Sequence, residues 1–188
     1  MLRTSLFTWM TASAVALTGL LLTQAPAQAA DKFSKDDKEM VDSALGNLRM
    51  GMESGRLAKD RANHQVVKGF ASDVIGTDQK LFNELKDLAK SHNYNADDDL
   101  SKSDMQMKAK LKDLEGQHFD LKFLKMSMHE HEQLISTFRK GGDSAKSDEL
   151  KKFFSDNERA IRENLDRAKE LSDKLESDDS DNAKDKKK

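Results

Sequence analysis

The segment LKKFFSDNERAIRENLDRAKELSDKL, residues 150–175, places Leu150, Phe154, Asn157, Ile161, Asn164, Ala168, Leu171 and Leu175 in one row, with steps of four and three alternating throughout. That is the spacing at which side chains share one face of an α-helix. Ser147 supplies an N-cap, and Asp148 and Glu149 put negative charge in the first turn, where the helix dipole favours it. A helix with a single apolar stripe gains stability only by burying it, so partner helices must come from elsewhere in the chain.

Three upstream segments supply them. Ser34 followed by Asp36 and Asp37 starts a helix expected over about residues 35–61, with a seam of Val41, Ala44, Leu45, Leu48, Gly51, Met52, Gly55, Ala58 and Ala62. Asn63 or His64 opens the next, with a stripe of Val67, Phe70, Val74, Asp78, Leu81, Leu85 and Leu88. The polar stretch HNYNADDDLSKS, residues 92–103, has no periodicity and is expected to be a solvated loop; its three aspartates lack the alternating ligands and turn glycine of a calcium loop. A short helix over about residues 104–115 follows, and Gly116 breaks or kinks the chain before a third long helix that ends near Arg139. KGGDSAKS is expected to be the loop into the last helix. Four long amphipathic helices with these connections predict an all-α, antiparallel four-helix bundle with a short extra helix before the third long one.

Composition narrows the setting. The 188 residues include 32 Lys and Arg against 34 Asp and Glu, a net charge of −2, and the two signs are mixed along the chain. No basic face for nucleic acid is expected. Residues 1–29 read as a signal peptide: Arg3, an apolar run from Leu6 to Leu22, and Ala27-Gln28-Ala29 as an A-x-A cleavage site. Cleavage after Ala29 predicts a periplasmic or secreted protein without a stable membrane span. The absence of cysteine rules out disulfides and a cysteine-linked lipid anchor. Residues 30–175 form the helical domain on this reading, and the charged run of residues 176–188 is expected to stay disordered.

The polar residues within the stripes carry the functional information. His129 and His131 lie about 200° apart around a helix, so they cannot chelate one ion together. His131 falls in a seam with Leu124, Met128, Ile135 and Phe138, while His129 faces solvent. With Asp78 and Asn164 in the stripes of their own helices, a buried polar layer of Asp78, His131 and Asn164 is expected, because an unpaired buried polar group costs several kcal/mol. Asp78 and His131 are also the candidate ligands for a divalent metal, but two good donors fall short of the three or four a transition metal takes. No cofactor is expected. The methionines 105, 107, 126 and 128 read as ordinary core filler, with only Met128 clearly in a seam, and His64, His92 and His118 as solvated. No nucleophile–base arrangement, phosphate loop or paired-carboxylate spacing stands out.

Two segments, VKGFASDVIGTDQKLFNELKDLA (67–89) and LKDLEGQHFDLKFLKMSMHEHEQ (111–133), resemble the signature blocks of domain-of-unknown-function family 4142, and the resemblance covers about residues 37–175. It implies an exported bacterial protein with a ferritin-like helical bundle. Asp78, Phe119, Asp120 and His131 match the family pattern, which has a histidine where this chain has Gln79, a glutamate at Gly51 and a histidine at Asn164. Gly116, Phe119 and Asp120 are expected to shape the start of the third long helix, Asp120 as its N-cap or first-turn acid. The expected function is a non-enzymatic binding or envelope-stress module with an unidentified envelope protein as partner; the alternative is a metal-binding protein or metal-dependent oxidoreductase centred on Asp78 and His131.

Overall fold

The computed structural model describes residues 32–185, with side chains as far as residue 178; the signal-peptide reading and the Ala27 and Ala29 cleavage site lie outside them. The described residues fold into five helices: α1 (Lys35–Arg61), α2 (Gln65–Ser91), α3 (Lys102–Lys112), α4 (Gly116–Ser144) and α5 (Asp148–Asp185). Ser34 caps α1 in a reciprocal box with Asp37, whose other oxygen accepts the Lys146 amide at 2.8 Å and so ties the start of α1 to the α4–α5 turn. Ser101 and Asp104 form the same box at α3, which therefore starts two residues earlier than the spacing suggested. Ser147 caps α5 through the Leu150 amide, as expected.

The directions of the helices follow from contacts at their ends. The α1–α2 connection meets Asp120 near the start of α4, Gln117 of α4 donates to the Leu175 carbonyl late in α5, and Arg167 of α5 pairs with Asp73 early in α2. Each neighbouring pair is therefore antiparallel, and α1–α2–α5–α4 close into a ring. The stretch from His92 through α3 carries the chain from one end of the ring to the other, packing on α4 and α1. It is not a solvated loop. Ala96 is buried, Asp42 accepts both the Tyr94 hydroxyl and the Asp97 amide, and Asp98 pairs with Arg49 and Lys86.

Two further expectations fail for identifiable reasons. Helix α4 runs through Gly141 and Gly142 to Ser144. These glycines do not make a turn, and Gly141 lets the buried Phe154 ring of α5 press against the α4 backbone; a Cβ there would overlap the ring, with Cε2 2.6 Å away. An interior helix glycine replaced by alanine ordinarily gains about 1 kcal/mol. Here Gly141→Ala is expected to cost about 1–3 kcal/mol by overpacking, read as a lower urea midpoint, and an increased midpoint would contradict this packing. At the other end, α5 continues past Leu175 to Asp185, where a disordered tail was expected. The chain meets no proline or glycine there, and Lys125–Glu176 joins α4 to the extended helix.

The apolar core has two parts. One contains Leu45, Leu48, Leu81, Leu85, Leu134, Phe138, Phe154 and Ile161; the other contains Val67, Phe70, Val74, Leu111, Phe119, Phe123, Ala168 and Leu175. Each long helix contributes to both, and near the level at which it passes from one to the other each carries at least one buried polar residue.

Candidate functional site

That level contains Gly51 and Ser54 on α1, Asp78 on α2, Ser127, Glu130 and His131 on α4, and Asn164 on α5, all buried. Asp78 lies four residues after Val74 and three before Leu81, so the stripe of α2 forces it inward. Its carboxyl fills the space that the missing side chain of Gly51 leaves; a Cβ on Gly51 would overlap Asp78 Oδ2. Neither Asp78 oxygen has a hydrogen-bond partner in the protein, and burial pushes its pKa well above the usual carboxylate range.

Glu130 is a second buried acid, which the sequence reading missed. Burial raises its pKa well above the ordinary value, and the like charges of Asp78 and Asp104 add to that, opposed by Ser54. Ser54 Oγ stands 3.2 Å from the Gly51 carbonyl oxygen and 3.4 Å from Glu130 Oε2, so its one proton serves only one of them. Glu130 Oε1 has no protein partner.

His131 lies in the layer as expected but does not hydrogen-bond to Asp78. Its Nδ1 donates to the Ser127 carbonyl oxygen at 2.7 Å, which fixes the neutral tautomer with Nε2 as an acceptor. Burial lowers its pKa and outweighs the opposing effect of that bond. Nε2 and the Asn164 amide nitrogen find no protein partner. The expected layer of Asp78, His131 and Asn164 is thus assembled by burial, while the mutual hydrogen bonds expected of it are not made.

The reason Glu130 escaped notice is geometric. Helix α4 packs on both α1 and α5 and buries two stripes. Leu124, His131, Ile135 and Phe138 form one; Phe123, Ser127, Glu130 and Leu134, again at +4, +3, +4, form the other. Met126 is buried as well, and Met128 only half-buried, which corrects the assignment of Met128 as the core methionine. His129 is exposed as expected.

Glu130 also lines an open groove of about 510 Å³, bounded by α1, the α2–α3 connection, α3 and α4. Asp42, Asp99 and Asp104 are on its walls, and no lysine or arginine is. Glu130 is thus common to the polar layer and to the lining of the groove.

Three residues expected to shape the start of α4 have different roles. Gly116 takes φ +59°, a left-handed conformation that suits glycine, and starts the helix. Phe119 is fully buried against the Arg61 guanidinium. Asp120 does not cap α4, whose N-cap is Glu115. Its oxygens instead accept the Asn63 and His64 amides, each at 2.8 Å, and contact His64 Nδ1 at 2.7 Å. His92 is not solvated either; it stacks on Phe33 and contacts Glu149 at 2.7 Å, which closes one end of the ring.

The model of a domain of unknown function, DUF4142, matches residues 22–171. The chain belongs to the DUF4142 family. No curated protein matches its sequence. Among solved structures, a DUF305 fragment from Deinococcus radiodurans superposes with a TM-score of 0.68 at 12% identity, covering 76% of this chain and 99% of that one. A DUF305 protein from Streptomyces coelicolor, described as a candidate secreted protein, superposes with a TM-score of 0.62 at 12% identity, covering 74% and 93%. At that identity the likeness is one of fold. Among the described residues no helix is long and apolar enough to cross a membrane.

Within this DUF4142 chain a metal would have to be held by Asp78, Glu130 and His131. Transition metals want three or four converging donors. Among the described residues no group of three or more His, Cys, Asp or Glu side chains is gathered to hold an ion. Gly51 and Asn164 offer no charged donor, and Gln79 lies aside, accepting from Arg56 and donating to Asn83.

Proposed function

We propose that this protein is an exported, ferritin-type antiparallel four-helix bundle of the cell envelope that works as a non-enzymatic binding module, with the groove at Glu130 as its receiving site. One observation carries the reading: a solvent-open polar groove has Glu130 in its lining, a buried residue whose Oε1 has no partner within the protein. A buried polar atom without a partner costs about 1–3 kcal/mol, and a ligand that satisfies it recovers that free energy on binding.

A thermal-shift screen with a panel of anionic, neutral and cationic small molecules tests the reading. At least one ligand is expected to raise the Tm of the wild type and to do so less in Glu130→Gln, since binding to the native state alone stabilises it. A screen in which every shift is equal in the two proteins would sink the groove as the site.

A further inference from the structure

We infer that the first part of α3 and the chain leading into it, residues 98–108, form a strap clasped by charge over α1 and α4, which swings outward and uncovers Glu130. The inference goes beyond the binding reading above, since it concerns a motion of the fold and needs no ligand.

The two ends of α3 are attached by different physics. At the C-terminal end Leu111, the helix's one buried residue, is fully enclosed, and the Arg61 guanidinium donates to the Lys112 and Leu114 carbonyls at 2.6 and 3.0 Å. Toward the N-terminal end Leu100 and Met107 are only half-buried, and an ionic network takes over. Asp98 pairs with Lys86 of α2 and, at 3.2 Å, with Arg49 of α1; Arg49 lies 3.8 Å from Glu53, which pairs with Lys108 of α3. Lys86 and Lys108 hold the Asp98 and Glu53 carboxyls below their usual range. The five side chains remain 18–38% exposed, so water and salt reach the clasp, and pairs of that kind are individually weak. A segment with so little buried apolar surface opens before the core does. The reciprocal box of Ser101 and Asp104 satisfies the first turn of α3 from within, so the helix can move without unravelling. Asp42 fixes the Asp97 amide just ahead of the strap, which sets the hinges there and at Leu111.

What lies beneath gives the motion its consequence. Lys108 meets α1 at Glu53, next to Ser54, whose Oγ is 3.4 Å from Glu130 Oε2. Asp99, Ser101, Asp104 and Met107 of the strap form one wall of the groove that Glu130 also lines, and Asp104 is near enough for its charge to raise the Glu130 pKa. With the strap down, Glu130 is 3% exposed. Swinging the strap about Leu111 carries that wall away from α4 and admits solvent to the carboxyl group, while Asp78, lodged against Gly51 between α1 and α2, stays enclosed.

Carboxyl footprinting with a carbodiimide and glycine ethyl ester, read by peptide mass spectrometry beside hydrogen–deuterium exchange, tests the inference on the wild type, Asp98→Asn and Glu53→Gln. At low salt Glu130 is expected to label at least about tenfold faster in both variants than in the wild type, with faster amide exchange in α3, unchanged exchange in α5 and no label on Asp78. Raising sodium chloride from about 0.05 M to about 1 M, where the Debye length falls to about 3 Å, should move the wild type toward the variants. That arm needs no substitution and decides the matter even if a variant fails to fold. Equal labelling of Glu130 in all proteins at both salt concentrations, faster α3 exchange without labelling of Glu130, or labelling that appears only together with exchange across α5 would overturn the strap. No ligand enters the experiment, so an immobile strap leaves the binding reading to its own thermal-shift test, and a screen without hits leaves the strap standing.

Discussion

Asp120→Ala is expected to lower the unfolding free energy by about 3–5 kcal/mol, the largest loss for any single polar side chain described above. Asp120 is fully buried, and its two oxygens accept the Asn63 and His64 backbone amides as well as facing the His64 ring. Those amides open α2, whose N-cap residue His64 makes no side-chain capping bond, so α4 provides the cap that α2 lacks in its own sequence. Alanine would leave both N–H groups without their acceptor and remove a charge-assisted contact, each worth about 1.5–3 kcal/mol. Asp120→Asn keeps one acceptor oxygen and should cost less, about 1–3 kcal/mol. Urea denaturation of the three proteins decides the point; an alanine variant with the wild-type midpoint would show that the α1–α2 turn does not depend on α4.

The contrast between Asp120 and Asp78 shows where the sequence is informative. Asp78 could be placed in the core because its neighbours at four and three residues are apolar, and periodicity within one helix says which way a side chain faces. The same reasoning placed His131 and Asn164 on stripes that the structure buries. It failed for Asp120, whose donors are more than fifty residues away, because a cap supplied from another helix leaves no local pattern. It failed for Glu130 because a helix buried on two sides has two overlapping stripes, and a single-seam reading assigns the second to solvent. Gly141 misled in the opposite sense: a glycine pair reads as a turn locally, whereas here it marks the close approach of an aromatic ring from α5. The groove was invisible for a combined reason, since its walls come from four elements.

Raising the pH from 7 to 9 is expected to destabilise the wild-type protein, and Asp78→Asn to remove part of that loss. Asp78 and Glu130 have folded-state pKa values well above their ordinary ones, mainly through burial. The native state therefore binds more protons than the unfolded chain once the pH exceeds the usual carboxylate range, and stability falls as the pH rises through the raised values. The other groups with shifted pKa values act outside this window. His131, with its lowered pKa, acts in the other direction but only below its unfolded value of about 6.5. Glu53 and Asp98, held low chiefly by Lys108 and Lys86, matter only at acid pH, and Tyr94, raised by burial and Asp42, only above the window. Ionising Asp78 against the α1 backbone at Gly51, with no donor to receive the charge, carries the penalty of an uncompensated buried charge, about 3–5 kcal/mol in the limit. The amide of Asp78→Asn matches the neutral acid in shape and cannot ionise. Below about pH 4, where the unfolded side chain is protonated as well, it should leave stability nearly unchanged, and by pH 9 the variant should be the more stable protein. Its stability curve should be flatter by the uptake of one proton, about 1.4 kcal/mol per pH unit, between the unfolded and the raised folded pKa of Asp78. Parallel curves for the two proteins between pH 7 and 9 would mean that Asp78 is already ionised in the core, and that a donor reaches it there.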